Sequence, residues 1–185
     1  MINFLKEYSY SIFKMFVNQL GIMIFGLVLS LATTKFSTLF IAAAIFGSLF
    51  YMLLLYTMTW DIGYEEKIRI EGKRMKYVPL KGLYMSLVAN IPNIVLAVLA
   101  IVGYYGGGAT KSGPVWAQNL YGAPNLIARF IQPTYVGIID PIFNKNPWGL
   151  LVIVIPSLIT CTLAYIAGVK AFRILPFGGP KESKD

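Results

Sequence analysis

The residue types in this chain exclude most of the side-chain chemistry that enzymes use. The 185 residues include no histidine, one cysteine and eight acidic residues. Without histidine there is no Ser-His-Asp triad, no HExxH zinc motif and no histidine-ligated haem. A lysine could activate the thiol of Cys161, but Lys170 lies about 13 Å further along a helix. We therefore predict that the protein is not an enzyme and holds no cofactor or metal.

Two short patterns resemble catalytic or nucleotide-binding motifs without satisfying them. Glu65 and Glu66 are adjacent acids, but adjacent residues on a helix do not face one another, so they are no sign of acid–base catalysis. The stretch GGGATKSGP at residues 106–114 has the composition of a phosphate-binding loop. Its motif, G-x-x-x-x-G-K-[ST], fails because Tyr105 and Thr110 occupy the two glycine positions. We interpret this stretch as a flexible linker.

Amide side chains within apolar parts of the chain are the main candidates for a polar site. Asn18 and Gln19 follow one another in the first apolar run, and Asn90 and Asn93 flank Pro92 in the third. Pro92 removes a backbone donor and frees a carbonyl one turn earlier. An amide in hydrocarbon loses its hydrogen bonds to water, so each amide should find a partner or water. We predict an intramembrane polar cluster of these four amides. We favour links between helices as its role over the lining of a polar path.

Four long apolar runs must position these side chains. The chain is 57% hydrophobic and 13% charged, whereas a soluble domain is about 45–50% apolar and about 25% charged. Each run reaches the roughly 20 residues that span about 30 Å of hydrocarbon as a helix. We therefore predict an all-α, polytopic membrane protein that forms a single transmembrane domain over residues 1–185. The four helices are predicted at about 11–32, 36–60, 83–105 and 148–172.

The distribution of lysine and arginine predicts how these helices are oriented. Of the 16 basic residues, twelve fall in the N-terminal part, the loop 61–82 and the C-terminal part, and four fall on the opposite side. Because Lys and Arg are retained in the cytoplasm, both termini and the loop 61–82 are predicted to be cytoplasmic. The loop 106–147 is then extracytoplasmic. We predict a multi-pass protein of the plasma membrane, and the absence of N-x-[ST] sites is compatible with a bacterial origin.

The cytoplasmic loop 61–82 is rich in charge. It contains six basic and four acidic side chains. Basic clusters beside a membrane are attracted to anionic headgroups by about 1 kcal/mol per residue. We predict that Lys73, Arg74 and Lys76 contact anionic lipid or a partner protein. Nucleic acid is not expected as a partner, because the basic residues flank apolar runs and are explained by membrane orientation.

The outer loop 106–147 contains short helical pieces bounded by prolines. Residues 126, 127, 130 and 131 are apolar and fall on one helical face. Such pieces are too short to span a membrane and too apolar for a free loop. We expect them to lie along the outer interface or to fold back over the helices as a cap.

These features favour a protein that works with others. The function we favour is a non-enzymatic accessory or structural subunit of a membrane complex. The alternative is a transport component, a channel or permease subunit, that acts as an oligomer or with a separate ATPase, since four helices enclose little volume. Small residues four apart, Ala43 with Gly47 and Ala164 with Gly168, permit close helix packing. A homo-oligomer or a partner membrane protein is therefore expected.

Single cysteines test the predicted orientation. In a chain whose Cys161 is replaced by alanine, Lys76→Cys and Ser112→Cys fall on opposite sides of the predicted topology. An impermeant thiol reagent added to intact cells should label Ser112→Cys, and Lys76→Cys only after the membrane is permeabilised. The reverse labelling pattern would overturn the orientation.

Overall fold

The computed structural model of this chain describes residues 2–33, 35–144 and 146–172, with side chains from residue 8 onward. Within these residues every regular element is a helix, which confirms the predicted all-α class. A short π-helical turn, Tyr104–Gly108, follows the fourth helix. The eight α-helices are α1 (Ile2–Thr33), α2 (Ser37–Glu71), α3 (Lys81–Ala89), α4 (Ile91–Gly103), α5 (Val115–Ile131), α6 (Pro133–Phe143), α7 (Trp148–Val152) and α8 (Val154–Val169).

Four helical stretches are long and apolar enough to cross a membrane, as the sequence predicted. The third and fourth combine more than one element, α4 with its π-helical turn and α7 with α8. This composition and length are those of a multi-pass membrane protein. The four stretches are Tyr8–Thr33, Ser37–Glu71, Ile91–Gly108 and Trp148–Val169.

The second span is longer than the apolar run that predicts it. The sequence placed its end at Trp60, but α2 continues through the charged residues to Glu71. Glutamate, lysine and arginine are good helix formers, and the Nζ of Lys67 lies 3.6 Å from a carboxylate oxygen of Glu71 one turn later. The helix ends where Lys73 adopts a left-handed φ of 55°. At 35 residues, or about 52 Å, α2 exceeds the roughly 30 Å of a hydrocarbon core.

Prolines interrupt the third and fourth spans. Asn90 separates α3 from α4 with φ −92° and ψ 2°. Pro92 has no N–H, so the carbonyl one turn earlier loses its helical donor. Ile153 separates α7 from α8 and keeps a helical backbone, and Pro156 removes a donor in the same way. Each proline thus removes one backbone hydrogen bond from a span.

Glycines allow the helices to approach one another closely. A Cβ on Gly63 of α2 would lie 2.4 Å from the carbonyl oxygen of Tyr165, and one on Gly168 of α8 would lie 2.2 Å from the carbonyl oxygen of Trp60. Gly82 brings α3 equally close to α8. Small residues of this kind let helix backbones pack against each other in membranes. The α2–α8 contact therefore fixes the position of α8 within the bundle.

The helices of the predicted outer loop form a hairpin that packs into the bundle. α5 runs antiparallel to α4, and a Cβ on Gly103 would lie 2.3 Å from the backbone nitrogen of Tyr121. From this contact the chain descends about 15 Å along α4 before α5 ends at Ile131. The large side chains of Leu126 and Phe130 face outward, 66% and 55% exposed. In lipid such side chains need not be buried in protein.

α6 returns from the tip of the hairpin between α1 and α2. A Cβ on Gly26 or on Gly47 would lie 2.6 Å from the γ-methyl of Thr134. Further along α6, Gly137 sits against Ala44 of α2, so the two helices are antiparallel. We define the hairpin tip as residues 132–134. Because Gly26 and Gly47 carry no side chain, α1 and α2 leave a groove that admits the hairpin tip.

The α2–α8 contact gives a stability prediction. Gly63→Ala places a methyl group against backbone, so the helices must separate, and we expect a loss of about 1–3 kcal/mol. Gly21→Ala is the matched control, since a Cβ there has no neighbour within 4 Å. It should be neutral or gain up to about 1 kcal/mol of helix propensity. The reaction of buried Cys161 with a fluorogenic thiol reagent during heating in detergent measures both. Equal melting of the two variants would contradict the close packing.

Candidate functional site

A buried ion pair joins four helices at the end of the bundle where α1 begins. The Nζ of Lys81 lies 2.7 Å from Oε2 of Glu66, and the two residues are 6% and 3% exposed. The hydroxyl of Tyr165 donates a hydrogen bond of 2.6 Å to the same oxygen. The hydroxyl of Tyr8 donates to Oε1 at 2.5 Å and accepts from Lys81 at 2.8 Å. We call these four residues the charge cluster.

The hydrogen bonds of the charge cluster are made within the protein, and they close this end of the bundle. The extension of α2 carries Glu66 to this level, Lys81 begins α3, and the contact at Gly63 places Tyr165 alongside. A buried carboxylate is costly unless it is paired and hydrogen-bonded, and here both oxygens accept bonds. α1, α2, α3 and α8 are thereby tied together.

The charge cluster was not predicted from the sequence, where Glu66 and Lys81 are two of the charges of the predicted loop 61–82. The two tyrosines come from opposite ends of the chain, Tyr8 near the start and Tyr165 near the end of α8. No periodic pattern links four such positions, so only the tertiary structure brings them together.

Three of the four amides predicted to cluster are buried around the interruption of the third span. Asn90 donates hydrogen bonds to the backbone oxygen of Ser86 at 2.9 Å and to the hydroxyl of Ser157 at 3.1 Å. Asn93 donates to Oδ1 of Asn90 at 3.0 Å. Gln19 of α1 is buried nearby. These bonds link α3, α4 and α8 at one level of the bundle.

Asn18 has a different environment from the other amides. It is half-buried, and its Nδ2 lies 3.6 Å from the sulfur of Met58 on α2. The adjacent Gln19 is turned towards the interior of the bundle. Asn18 therefore provides a natural control for the buried amides.

A small cavity, which we call the central chamber, lies where the interrupted helices meet. Its volume is about 10 Å³, which is room for about one water molecule. The Asn90 interruption, Ile153 between α7 and α8, and the hairpin tip all reach it. Along α2 it lies about 22 Å from the charge cluster. Its polar lining comprises Gln19, Tyr51, Asn90, Gln132, Thr134, Tyr135 and Ser157.

Two hydroxyls of the central chamber have no hydrogen-bond partner among the residues that the structure describes. These are Oγ1 of Thr134 and the phenolic hydroxyl of Tyr135, which are 3% and 7% exposed as residues. Burial raises the pKa of Tyr135 above its usual value, so the phenol stays neutral. Buried polar groups are nearly always hydrogen-bonded to protein or water. The chamber is therefore suited to hold a small hydrogen-bonding molecule.

The basic residues predicted to contact lipid lie on the turn after α2. Lys73, Arg74 and Lys76 are all exposed. Tyr77 and Val78, which follow them, are each 41% exposed. A basic and apolar surface of this kind is compatible with an interface between water and lipid. Contact with lipid or a partner at these residues stays a prediction.

Comparison of the chain with protein-family models, curated protein sequences and solved structures finds no match. Within the described part of the chain, no group of three or more His, Cys, Asp or Glu side chains is placed to hold a metal ion. We therefore infer the function from the central chamber, from the charge cluster on one side of it and from the hairpin tip on the other.

Removing one partner of the buried ion pair tests the charge cluster. Lys81→Met leaves the carboxylate of Glu66 buried without its cation and should cost about 3–5 kcal/mol of stability. The exposed pair Lys67–Glu71 is the control, and Lys67→Met should cost less than about 1 kcal/mol. Both are measured as thermal unfolding in detergent.

A second variant separates charge from packing in the same cluster. Glu66→Gln combined with Lys81→Met removes both charges; the amide oxygen of glutamine accepts from one tyrosine, and its NH2 group donates to the hydroxyl of the other. The double variant should be more stable than Lys81→Met alone, because no unpaired charge remains. If the two variants lose equal stability, the ion pair is not buried as described.

Proposed function

We propose that this chain is a non-enzymatic, multi-pass component of a membrane transport system that works as an oligomer or with a partner protein. The observation that carries the proposal is the meeting of the break at Asn90, the α7–α8 junction and the hairpin tip around one buried polar chamber. Inside a membrane, irregular backbone is tolerated where it is buried in protein or lines a cavity. In many transporters, broken helices of this kind surround the substrate site near the membrane midplane.

The two closures of the chamber support the same proposal. On one side the charge cluster ties α1, α2, α3 and α8 together. On the other side the hairpin tip fills the groove between α1 and α2. A solute site between two closures is what alternating access requires. The described arrangement corresponds to the form in which both closures are shut.

The orientation of this component follows from its charges. We place the charge cluster and both termini on the cytoplasmic side and the hairpin on the outer side, because basic residues are retained in the cytoplasm. Lys73, Arg74 and Lys76 would then lie against the anionic inner leaflet. The membrane is the plasma membrane of a bacterium in this proposal.

An accessory or structural subunit is the second candidate, and the size of the chamber favours it. About 10 Å³ admits little more than one water molecule. The bonds between Asn93, Asn90 and Ser157 would then act as links between helices, worth about 0.6 kcal/mol each on average. The subunit would pack against a larger complex or a second copy of itself.

Replacing the buried amides distinguishes the two candidates. Asn90→Leu with Asn93→Leu removes the asparagine that lines the chamber and the asparagine that donates to it, and Asn18→Leu is the matched control outside the chamber. Purified proteins are reconstituted into lipid vesicles, and swelling in urea, glycerol or monovalent salts is followed by light scattering. A transport component should raise the permeability to at least one solute. The double variant should lose this permeability and remain folded, while Asn18→Leu keeps it.

The same proteins give the contrary outcome if the chain is an accessory subunit. Vesicles with the unaltered chain would then be no more permeable than vesicles without protein. The double variant would melt at a lower temperature in detergent and lose the proteins that copurify with the unaltered chain. That combination would replace the transport proposal by the structural one.

A further inference from the structure

The lining of the central chamber is polar but carries no charge. Its polar side chains are amides and hydroxyls, and the charge cluster is about 22 Å away along α2. An ion in this chamber would have no opposite charge to compensate its loss of water. A neutral ligand avoids that penalty.

The hydrogen-bonding groups of the chamber define the ligand further. Asn90 and Ser157 already bond to each other, whereas the hydroxyls of Thr134 and Tyr135 have no partner among the described residues. A hydroxyl both donates and accepts, and so does the amide of Gln19. The first turn of α6 also presents its partly positive N-terminus at the hairpin tip, which favours an acceptor oxygen. The ligand should therefore carry both a donor and an acceptor.

The two closures of the chamber are held with unequal strength. The hairpin tip is joined to α2 by a hydrogen bond of 3.4 Å from Ser48 to the backbone oxygen of Thr134. The charge cluster at the other end has four bonds of 2.5–2.8 Å, and each of them has the carboxylate of Glu66 or the ammonium group of Lys81 as a partner. An ion pair between Arg129 and Asp140 joins the second half of α5 to α6, whereas the first half of α5 packs closely against α4 at Gly103, so the part of the hairpin near its tip is the part that can move. The hairpin side is the easier side to open.

We propose that the central chamber binds a small neutral solute with a hydroxyl or carboxamide group, and that the α5–α6 hairpin is the lid through which the solute enters. One water molecule fills the chamber while the lid is closed. This inference rests on the proposed transport function for its biological purpose and names the class of solute. The binding step itself requires neither an oligomer nor a partner.

Thiol chemistry at Ser157 tests the site directly. Ser157 lines the chamber, and the native Cys161 lies one turn further on α8, fully buried and outside the chamber lining. The variant Ser157→Cys with Cys161→Ala therefore has a matched control in the unaltered chain. Methyl methanethiosulfonate, which is small and neutral, should modify the variant on the order of tenfold faster than it modifies Cys161, because the lid opens locally.

Protection by solutes identifies the ligand class. Molar acetamide or glycerol should slow the modification of Ser157→Cys several-fold, and sodium chloride of equal osmolarity should not. Gly47→Ala, added to this variant, pushes against the methyl group of Thr134 and should accelerate the modification by loosening the lid. Equal rates for the variant and Cys161, or no protection by either neutral solute, would overturn the proposal. Protection by salt alone would overturn the neutral class.

The outcomes also separate this inference from the transport function. Protection by acetamide or glycerol without solute flux in vesicles would establish the binding site and refute transport. Flux that is unaffected by the buried amides, with no protection at Ser157→Cys, would refute the site and leave transport standing.

Discussion

A helix that is interrupted inside a membrane leaves polar groups that must find partners within the protein, because lipid offers none. This constraint explains why the interruptions of this chain lie at one level. The amide of Asn90 bonds across to Ser157 on α8, and the hydroxyl of Ser48 reaches the backbone at the hairpin tip. The break at Asn90 thus finds a partner on α8, and the hairpin tip finds one on α2. The central chamber is the space that remains between them. Among the described residues, the hydroxyls of Thr134 and Tyr135 have no partner there, and a small ligand would supply one.

Close backbone contacts and a buried ion pair hold the helices together around the central chamber. Gly63 and Gly168 bring α2 and α8 together, and this contact places Tyr165 beside Glu66. A buried ion pair adds little net stability compared with apolar packing, but an incorrect partner is strongly penalised. Lys81 therefore selects one arrangement of α3 against α2. The charge cluster fixes the arrangement of the helices at one end of the bundle, and small residues make room for the hairpin at the other. The two ends differ in how easily they open.

The parts of the structure that follow from local composition could be predicted from the sequence. Four apolar runs indicate the spans by length alone, and Pro92 marks the interruption beside the buried amides. The end of α2 could be placed only approximately, because residues 61–71 are charged and a boundary near Trp60 follows from the end of the apolar run. The sequence left two arrangements open for the outer loop, along the interface or folded back over the helices, because the packing of the hairpin depends on Gly26 and Gly47, whose role appears only when α1 and α2 are packed. The charge cluster joins residues distant in sequence, so no local pattern reveals it.

A crystal structure grown in a lipidic phase, at a resolution that shows ordered water, would test the central claim most directly. The account predicts that the hairpin tip lies between α1 and α2. It also predicts a single peak of non-protein density within hydrogen-bond distance of the hydroxyls of Thr134 and Tyr135. A hairpin that lies along the membrane surface, or a dry chamber in which both hydroxyls bond to protein atoms, would contradict it.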